Sequence, residues 1–341
     1  MKAIVLPSVI GVGNTDLGML TAGHLGHGRR PTKPHSISWN GASYLTGAGV
    51  ERFARPIERM DFVRLADGPD VRALTYTALG LLLGPGAHTL SVMIGFPVAL
   101  MADRSQAQAT LRGLRAWLVG GHQFVLDNQE ISLRIQDVKA IPQPLGTYFS
   151  WGLNEAGEWG RSTEDLKALT AICDIGFNTL DLYGIQEGQV QAEYTGGDTI
   201  GVRRAAEILS DLVRKHQVHF TRHEADGYLQ DADPVLHCSA GAVSLQKEVA
   251  QALEASASEI IGFLNSYWEQ VGRIRHMLFS GGGSVLFRPY LSRSYSTGLL
   301  LPEAVVANAI GLARYGRRAF GSAHIVVGLD PGFGGFKAVV C

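Results

Sequence analysis

The chain has 341 residues, of which 46% are hydrophobic and 18% charged, and its formal net charge is −1. This length suits two compact cores better than one, and a charge near zero argues against direct binding of nucleic acid. The three cysteines lack metal-ligand spacing, which is typical of a reducing compartment. No leader pattern precedes the first apolar segment, and no apolar run reaches the roughly 18 to 20 residues of a membrane span. We therefore expect a cytoplasmic protein without membrane contact.

Apolar periodicity and turn residues predict strands that alternate with helices. The first part of the chain predicts a strand at 3–6, a long loop at 11–35, a hairpin at 36–45, helices at 72–83 and 104–118, and strands at 89–94 and within 123–141, with a turn after Pro144. The second part predicts helices at 163–169, 201–216, 244–274 and 302–315, and strands at 171–174, 179–183, 277–279, 325–329 and 337–340. We expect Asp198 or Thr199 to cap the helix at 201, and Pro302 to open the last helix. This alternation predicts an α/β fold.

Three glycine-rich turns follow short apolar strands. They are Asp-Pro-Gly-Phe-Gly-Gly-Phe-Lys at 330–337, Asp-Ile-Gly-Phe-Asn-Thr-Leu-Asp at 174–181, and Leu-Phe-Ser-Gly-Gly-Gly-Ser at 278–284. Glycine lets backbone N–H groups approach a phosphate closely, and Lys337 adds positive charge. One such turn alone is usually a plain hairpin. Their joint occurrence indicates a nucleotide whose phosphates are held from two sides, and the two carboxylates, Asp330 and Asp174, would repel unless a cation such as magnesium lay between them.

These turns resemble the phosphate-1, phosphate-2 and adenosine motifs of the superfamily of actins, heat-shock chaperones and sugar kinases. Segments 141–146 and 303–311 resemble its two interdomain connections. The most similar branch is that of ParM and the archaeal actin homologues. The residues that carry this resemblance are Ala307-Asn308-x-x-Gly311 with Tyr315-Gly316, Gly197-Asp198-Thr199-Ile200-Gly201-Val202, and Gly95-Phe96-Pro97-Val98.

The resemblance implies an actin-like ATPase fold, in which two ribonuclease-H-like α/β domains hold a nucleotide in the cleft between them. Domain I would comprise residues 1–150 and 302–341, and domain II residues 151–301. The family places its phosphate-1 hairpin first in the chain, whereas here it comes last. Residues 3–11 resemble the strand that follows this hairpin in actins. We therefore predict a circular permutation, in which residues 316–324 form the new connection.

The same resemblance implies the site residues. The nucleotide, ATP or GTP, would contact Asp330, Gly332, Phe333, Gly334 and Lys337 in the first turn, Gly176, Asn178 and Thr179 in the second, and Gly281, Gly282 and Gly283 in the third. Asp330 and Asp174 would hold Mg²⁺ largely through water. Gln143 would orient the attacking water, with Asp174 as the second catalytic residue. The alternatives are that Lys337 is a surface lysine, that Gln143 is a solvated linker residue and that the aspartates only form turns.

The function implied by the resemblance is magnesium-dependent ATP hydrolysis coupled to filament assembly. The partners would then be other copies of the chain and a DNA-bound adaptor protein, in DNA segregation or a cytoskeletal role. Two alternatives stay open at this point. One is a small-molecule kinase of the same superfamily, which needs a carboxylate base beside an acceptor pocket. The other is a nucleotide-binding scaffold that does not polymerise.

Overall fold

A computed structural model describes residues 1–13, 33–57, 65–66, 68–239, 241–321 and 325–341. Contacts between Cα atoms divide the chain into two compact units. Unit 1 comprises Met1–Glu158 and Ala309–Cys341, and unit 2 comprises Trp159–Asn308. Parts of the predicted loop at 11–35 and of the predicted connection at 316–324 fall at residues 14–32 and 322–324, outside the described residues.

Strands and helices alternate along the chain, as predicted. The strands are β1 (Lys2–Pro7), β2 (Ile10–Val12), β3 (His35–Trp39), β4 (Ala42–Thr46), β5 (Gly86–Phe96), β6 (Gly120–Leu126), β7 (Gln129–Pro142), β8 (Thr170–Ile175), β9 (Leu180–Gln186), β10 (Gln189–Asp198), β11 (Val235–Cys238), β12 (Gly241–Ser244), β13 (His276–Ser280), β14 (Leu299–Leu300), β15 (Ile325–Pro331) and β16 (Gly335–Val340). The α-helices are α1 (Pro69–Leu83), α2 (Val98–Ala102), α3 (Arg104–Leu118), α4 (Gln143–Gly152), α5 (Thr163–Lys167), α6 (Val202–Val213), α7 (Arg222–Gln230), α8 (Gln246–Tyr267), α9 (Gly281–Leu286), α10 (Arg288–Ser294) and α11 (Ala307–Phe320).

Unit 1 is built on a nine-stranded sheet with the order β1-β16-β15-β5-β7-β6-β3-β4-β2. The strand β15 lies in its interior, antiparallel to β16 and parallel to β5. Its residues Val326, Val327 and Leu329 are fully buried, as expected for an apolar strand that is covered on both faces. On the far side of β16, β1 pairs antiparallel, with Lys2 directly opposite Val340. The predicted C-terminal hairpin is therefore confirmed, and its strands are the third and second of the nine in this sheet.

Unit 2 contains a five-stranded sheet with the order β10-β9-β8-β13-β14 and a separate pair, β11-β12. Its central strand β8 is antiparallel to β9 and parallel to β13. Helix α6 packs on α7 and α8 and buries Val202, Ala205 and Leu209 along one face. This spacing of three to four residues is the amphipathic pattern that predicted the helix.

Three local predictions need correction, and several strands were not predicted. Residues 143–152 form helix α4 where a turn was predicted after Pro144, because proline is favourable in the first turn of a helix, where its missing N–H costs nothing. The cap of α6 is Gly201 rather than Asp198 or Thr199. Pro302 lies outside the helix that it was expected to open, since a 3₁₀ turn at Ala304–Val306 precedes α11. Strand β10 was not predicted; its mostly exposed, polar sequence carries little strand signal.

Candidate functional site

In unit 1, the end of β15 carries a buried carboxylate, Asp330, which is 1% exposed. Its neighbour across the hairpin is Lys337, and the Lys337 Nζ lies 3.0 Å from Asp330 Oδ2. The other carboxylate oxygen, Oδ1, accepts a hydrogen bond from Gln143 Nε2 at the start of α4. The neighbouring Lys337 and the distant Gln143 thus meet at one carboxylate. A buried charge requires such partners, because desolvation without them is costly.

The contact with Asp330 fixes the orientation of the Gln143 amide. An ionised carboxylate only accepts hydrogen bonds, so Gln143 presents its NH₂ group and its carbonyl oxygen is directed away. Gly95 on β5 makes room for this side chain, because a Cβ atom there would lie 3.1 Å from Gln143 Cγ. Gln143 itself is only 6% exposed. It is therefore a buried and oriented side chain, whereas the linker alternative assumed a solvated one.

The glycine turn that joins β15 to β16 is closed by its own backbone and by a residue that sequence reasoning missed. The Gly332 amide donates to the carbonyl oxygens of Asp330 at 3.1 Å and Gly335 at 3.2 Å. The Ser8 hydroxyl, just beyond β1, donates to the Gly332 carbonyl oxygen at 2.6 Å, and the Ser8 amide donates to that of Gly334 at 3.4 Å. Phe333 lies in the same turn. No sequence signal near Ser8 indicates this contact, because β1 and the turn are separated by more than 320 residues.

In unit 2, Asp174 holds the corresponding position near the end of β8 and is 7% exposed. Asn308 Nδ2 donates to its Oδ2 at 2.7 Å, and the Ser280 hydroxyl donates to its Oδ1 at 3.4 Å. The residue directly opposite on β9 is a second buried carboxylate, Asp181. Asn308 and Ser280 were not among the predicted site residues. Asn308 was noticed only as part of a family signature, and its hydrogen bond was not evident from the sequence.

The hairpin between β8 and β9 holds Gly176, Asn178 and Thr179, and the start of α6 is bonded to it. The Gly176 amide donates to the Thr179 carbonyl oxygen at 2.8 Å and closes the turn. In return, the amides of Val202 and Arg203 donate to the carbonyl oxygens of Gly176 at 3.2 Å and Phe177 at 2.7 Å. The first N–H groups of a helix lack partners within the helix. Here two carbonyl oxygens of the hairpin accept hydrogen bonds from two of these N–H groups, which explains why α6 needs no side-chain cap.

The three glycines at the end of β13 differ in what requires them. Gly281 has φ +83°, and a Cβ atom there would lie 2.5 Å from Asp174 Oδ1. At Gly283 a Cβ atom would lie 2.4 Å from Ile175 Cγ2, whereas at Gly282 it would meet nothing within 4 Å. Packing inside unit 2 therefore accounts for Gly281 and Gly283. The space beside Gly282 is left open by the described chain.

One thiol beside Asp174 is excluded from chemistry. Burial raises the pKa of Cys173 well above its ordinary value, and the carboxylates of Asp174 and Asp181 raise it further. A fully buried thiol with a raised pKa is not a nucleophile at neutral pH. The groups that can take part in chemistry are thus the two sets around Asp330 in unit 1 and Asp174 in unit 2.

Comparison with known proteins identifies the family. Residues 1–146 match the family of actin-like protein N-terminal domains, and residues 172–293 match that of the C-terminal domain of archaeal MreB-like actin homologues. A search of curated protein sequences found no significant match. In the described residues, no helix combines the length and apolar character that a membrane crossing requires.

Solved structures agree with these matches. The archaeal actin homologue Ta0583 superposes with a TM-score of 0.71 at 18% identity, covering 93% of both chains, and a structure of it in complex with ADP gives 0.70. The pSK41 ParM protein gives 0.67 at 16% identity, covering 94% of this chain and 92% of the other. A 15-stranded ParM filament from Clostridium botulinum gives 0.68 at 16%, covering 93% of both. The chain therefore belongs to the actin-like proteins, and it has the two-domain α/β fold of ParM and the archaeal actin homologues.

Proposed function

We propose that the protein binds ATP (or GTP) with magnesium and hydrolyses it to the diphosphate and inorganic phosphate. The observation that carries this proposal is the set of contacts at Asp330, where a buried carboxylate at the end of a glycine hairpin holds both Lys337 and Gln143. The ADP complex of Ta0583 supports nucleotide binding in this fold.

Each hairpin offers phosphate contacts of a different kind. In unit 1, the ammonium group of Lys337 and the turn of Gly332, Phe333 and Gly334 supply positive charge and backbone N–H groups. In unit 2, the turn of Gly176, Asn178 and Thr179 supplies uncharged donors. The open space beside Gly282 would admit the nucleoside, since a bare backbone can lie against a flat ring.

Gln143 would position the water that attacks the γ-phosphate. Its NH₂ group donates to Asp330, so its carbonyl oxygen is directed away from that carboxylate and can accept a hydrogen bond from water. Burial restricts the side chain to this direction, and Gly95 leaves the space that it occupies. A glutamine that orients water for in-line attack performs no proton transfer of its own, and it contributes through positioning.

The carboxylates fit a magnesium ion that is held through water. Magnesium keeps several of its own water ligands and commonly uses one or two carboxylates. Both oxygens of Asp330 and of Asp174 already accept hydrogen bonds from the chain, which favours contact through water over direct coordination. When bound, the ion would neutralise charge on the phosphate oxygens. Asp174 would then contribute to catalysis by holding the hydrated ion.

We further propose that the protein assembles into nucleotide-dependent filaments in the cytoplasm. One solved structure of the same fold is a ParM filament, which supports self-association. A DNA-bound adaptor and a role in segregation remain extensions of this proposal by analogy. Binding of the γ-phosphate would favour one conformation of the protein for assembly. Such a difference between the ATP-bound and ADP-bound states is what coupling of assembly to the nucleotide requires.

The test is binding, turnover and assembly measured on the same preparation. Nucleotide at a hundred times its dissociation constant should stabilise the fold by about 2.7 kcal/mol, seen as a magnesium-dependent rise in Tm. Phosphate release should follow without an added acceptor, and ATP should pellet more protein than ADP. No Tm shift at millimolar nucleotide would refute the site. Release only with an acceptor would indicate a kinase, and binding without pelleting at high concentration would indicate a scaffold.

A further inference from the structure

We infer that Arg203 positions the side-chain amide of Asn178, so that Asn178 presents an N–H donor to the γ-phosphate and the site distinguishes ATP from ADP. This inference rests on the proposed function, because it assumes that the hairpin between β8 and β9 receives the phosphates. It adds a residue outside the predicted motifs. Arg203 would be a positioning residue, since it acts through Asn178 and need not touch the nucleotide.

The backbone fixes Arg203 relative to the hairpin. The Arg203 amide donates to the Phe177 carbonyl oxygen at 2.7 Å, so the residue that carries the guanidinium is bonded to the neighbour of Asn178. Gly201 makes this approach possible, because a Cβ atom there would lie 2.5 Å from the same Phe177 oxygen. The start of α6 and the hairpin therefore form one unit, and the arginine side chain originates at a defined distance from the turn.

The side chain of Arg203 is held at two points. Its Nη1 donates to Asn178 Oδ1 at 3.0 Å, and its Nε donates to Glu207 Oε1 at 2.8 Å, one helical turn further along α6. Glu207 thereby pairs with the guanidinium group and limits its rotation. At 37% exposure of the arginine side chain, solvent screens the ion pair, but the geometry of the two hydrogen bonds is retained.

The chemistry of arginine determines which end of the amide faces it. A guanidinium has only donors, and an asparagine amide has an acceptor at one end and two N–H donors at the other. The Asn178 carbonyl must therefore face Arg203, and its NH₂ group must lie on the opposite side of the planar amide. Phosphate oxygens are acceptors, so the NH₂ end is the one that can bind them. Without Arg203 the amide has no such constraint, and it can present either end.

The first experiment compares two adjacent arginines of α6. Arg204, the next residue of α6, donates instead to Glu259 at 3.1 Å, so Arg204→Ala is the matched control. Dissociation constants for Mg·ATP and Mg·ADP are measured by calorimetry on the full chain. We expect Arg203→Ala to weaken ATP binding roughly three- to tenfold, as for a hydrogen bond to a charged group that is partly lost. The dissociation constant for ADP should change less than about twofold. Arg204→Ala should leave both constants unchanged.

The second experiment separates positioning from a purely structural role. In Asn178→Asp the carboxylate still accepts from Arg203, so the hairpin and the Tm should be retained. The donor is gone, however, and a negative charge faces the phosphates, so ATP affinity should fall by about tenfold or more. Normal ATP binding by Asn178→Asp would mean that the Asn178 amide donates nothing to the phosphate, and that result would overturn the inference.

A double variant identifies which residue meets the phosphate. In an Asn178→Ala background, Arg203→Ala should cause no further loss of ATP affinity, because its effect passes through Asn178. A further loss of the same size would mean that the guanidinium contacts the phosphate directly, and the positioning role would be wrong. A wild-type chain that binds neither nucleotide refutes the proposed function itself. A wild-type chain that binds both, with an unchanged ATP-to-ADP ratio in Arg203→Ala, refutes only this inference.

Discussion

Five strands have the same arrangement in the sheets of both units, but they follow a different order along the chain. In unit 2 the order β10-β9-β8-β13-β14 has the first strand of the unit, β8, in the middle. In unit 1 the same positions hold β1-β16-β15-β5-β7, with the same antiparallel and parallel neighbours around the central strand. The central strand of unit 1 comes late in the chain. Strand contacts, rather than chain connectivity, therefore define this sheet, which supports the proposed circular permutation.

The same comparison at the hairpins shows a difference in charge. The buried aspartate on the central strand faces Lys337 in unit 1 and Asp181 in unit 2. Unit 1 thus neutralises its carboxylate with an ion pair, whereas unit 2 uses the neutral donors Asn308 and Ser280. One backbone arrangement accordingly provides a cationic contact in one unit and an acidic one in the other.

The largest effect expected from this comparison is loss of unit 1 when its late strands are removed. Truncation after Gly321 deletes β15 and β16 and so removes the partners of β1 and β5. Each large apolar side chain that is fully buried on these strands contributes roughly 1.5 to 3 kcal/mol, and a domain has only about 5 to 15 kcal/mol in total. We expect an insoluble chain or one that lacks cooperative unfolding and nucleotide binding.

The rearranged chain is the control for this truncation. Lys2 pairs with Val340, so placing residues 325–341 ahead of Met1 leaves only Cys341 and Met1 to form a two-residue hairpin loop, the commonest kind. With a glycine-containing turn at this junction, the chain should fold and bind ATP like the parent. A truncated chain that remains folded with full ATP affinity would contradict both the assignment of the hairpin and the permutation.

The next largest effect concerns Gln143, the predicted catalytic residue that contacts Asp330 in unit 1. Gln143→Ala removes the side chain that would orient water, so turnover should fall by about 10²- to 10⁴-fold with little change in ATP affinity. Phosphate release and calorimetry measure the two quantities separately. Filaments, if formed, should persist longer in this variant. Turnover at the parent rate would assign Gln143 to structure alone.

A pair of variants tests the difference in charge between the two aspartates. Lys337→Met leaves the buried Asp330 charge without its ion-pair partner and should destabilise unit 1 by about 3–5 kcal/mol. Asn308→Leu removes a neutral donor from Asp174 and should cost about 1–3 kcal/mol. Urea unfolding without nucleotide gives both values. Equal losses would show that the two carboxylates are stabilised alike, against the contrast described above.

The smallest effect lies outside the shared five strands, on β6. Burial lowers the pKa of His122, opposed in part by its hydrogen bond to Leu118, and nearby Arg72 lowers it further. The neutral ring bonds Leu118 O at 2.8 Å and the Tyr76 hydroxyl at 3.0 Å. As pH falls below the ordinary histidine pKa near 6.5, the unfolded chain takes up the proton first, so stability is present above that pH and lost below it. His122→Gln keeps both hydrogen bonds and should lose less stability between pH 8 and pH 5.5.

The sequence predicted the features that are local. The hairpin turning at Asn40-Gly41 and the buried run at 325–329 follow from short-range patterns, and both are present. What it could not predict depends on distant contacts. Gly201 replaces a side-chain cap because carbonyl groups of a hairpin, each 26 residues before its donor, accept from α6. Likewise, Ser8 and Asn308 reach the glycine turn and Asp174 only after the strands have paired.

The position of β15 in the chain has a consequence for synthesis on the ribosome. Unit 2 ends at Asn308, so all of its strands leave the exit tunnel before Ile325 does. Unit 2 can therefore fold during translation, as domains generally do when they are complete. Until β15 and β16 have emerged, the early strands of unit 1 lack these neighbours, so the edges of β1 and β5 are unpaired. Unpaired strand edges are prone to associate with other chains. Nascent unit 1 is consequently exposed to such association until residue 340 has been added.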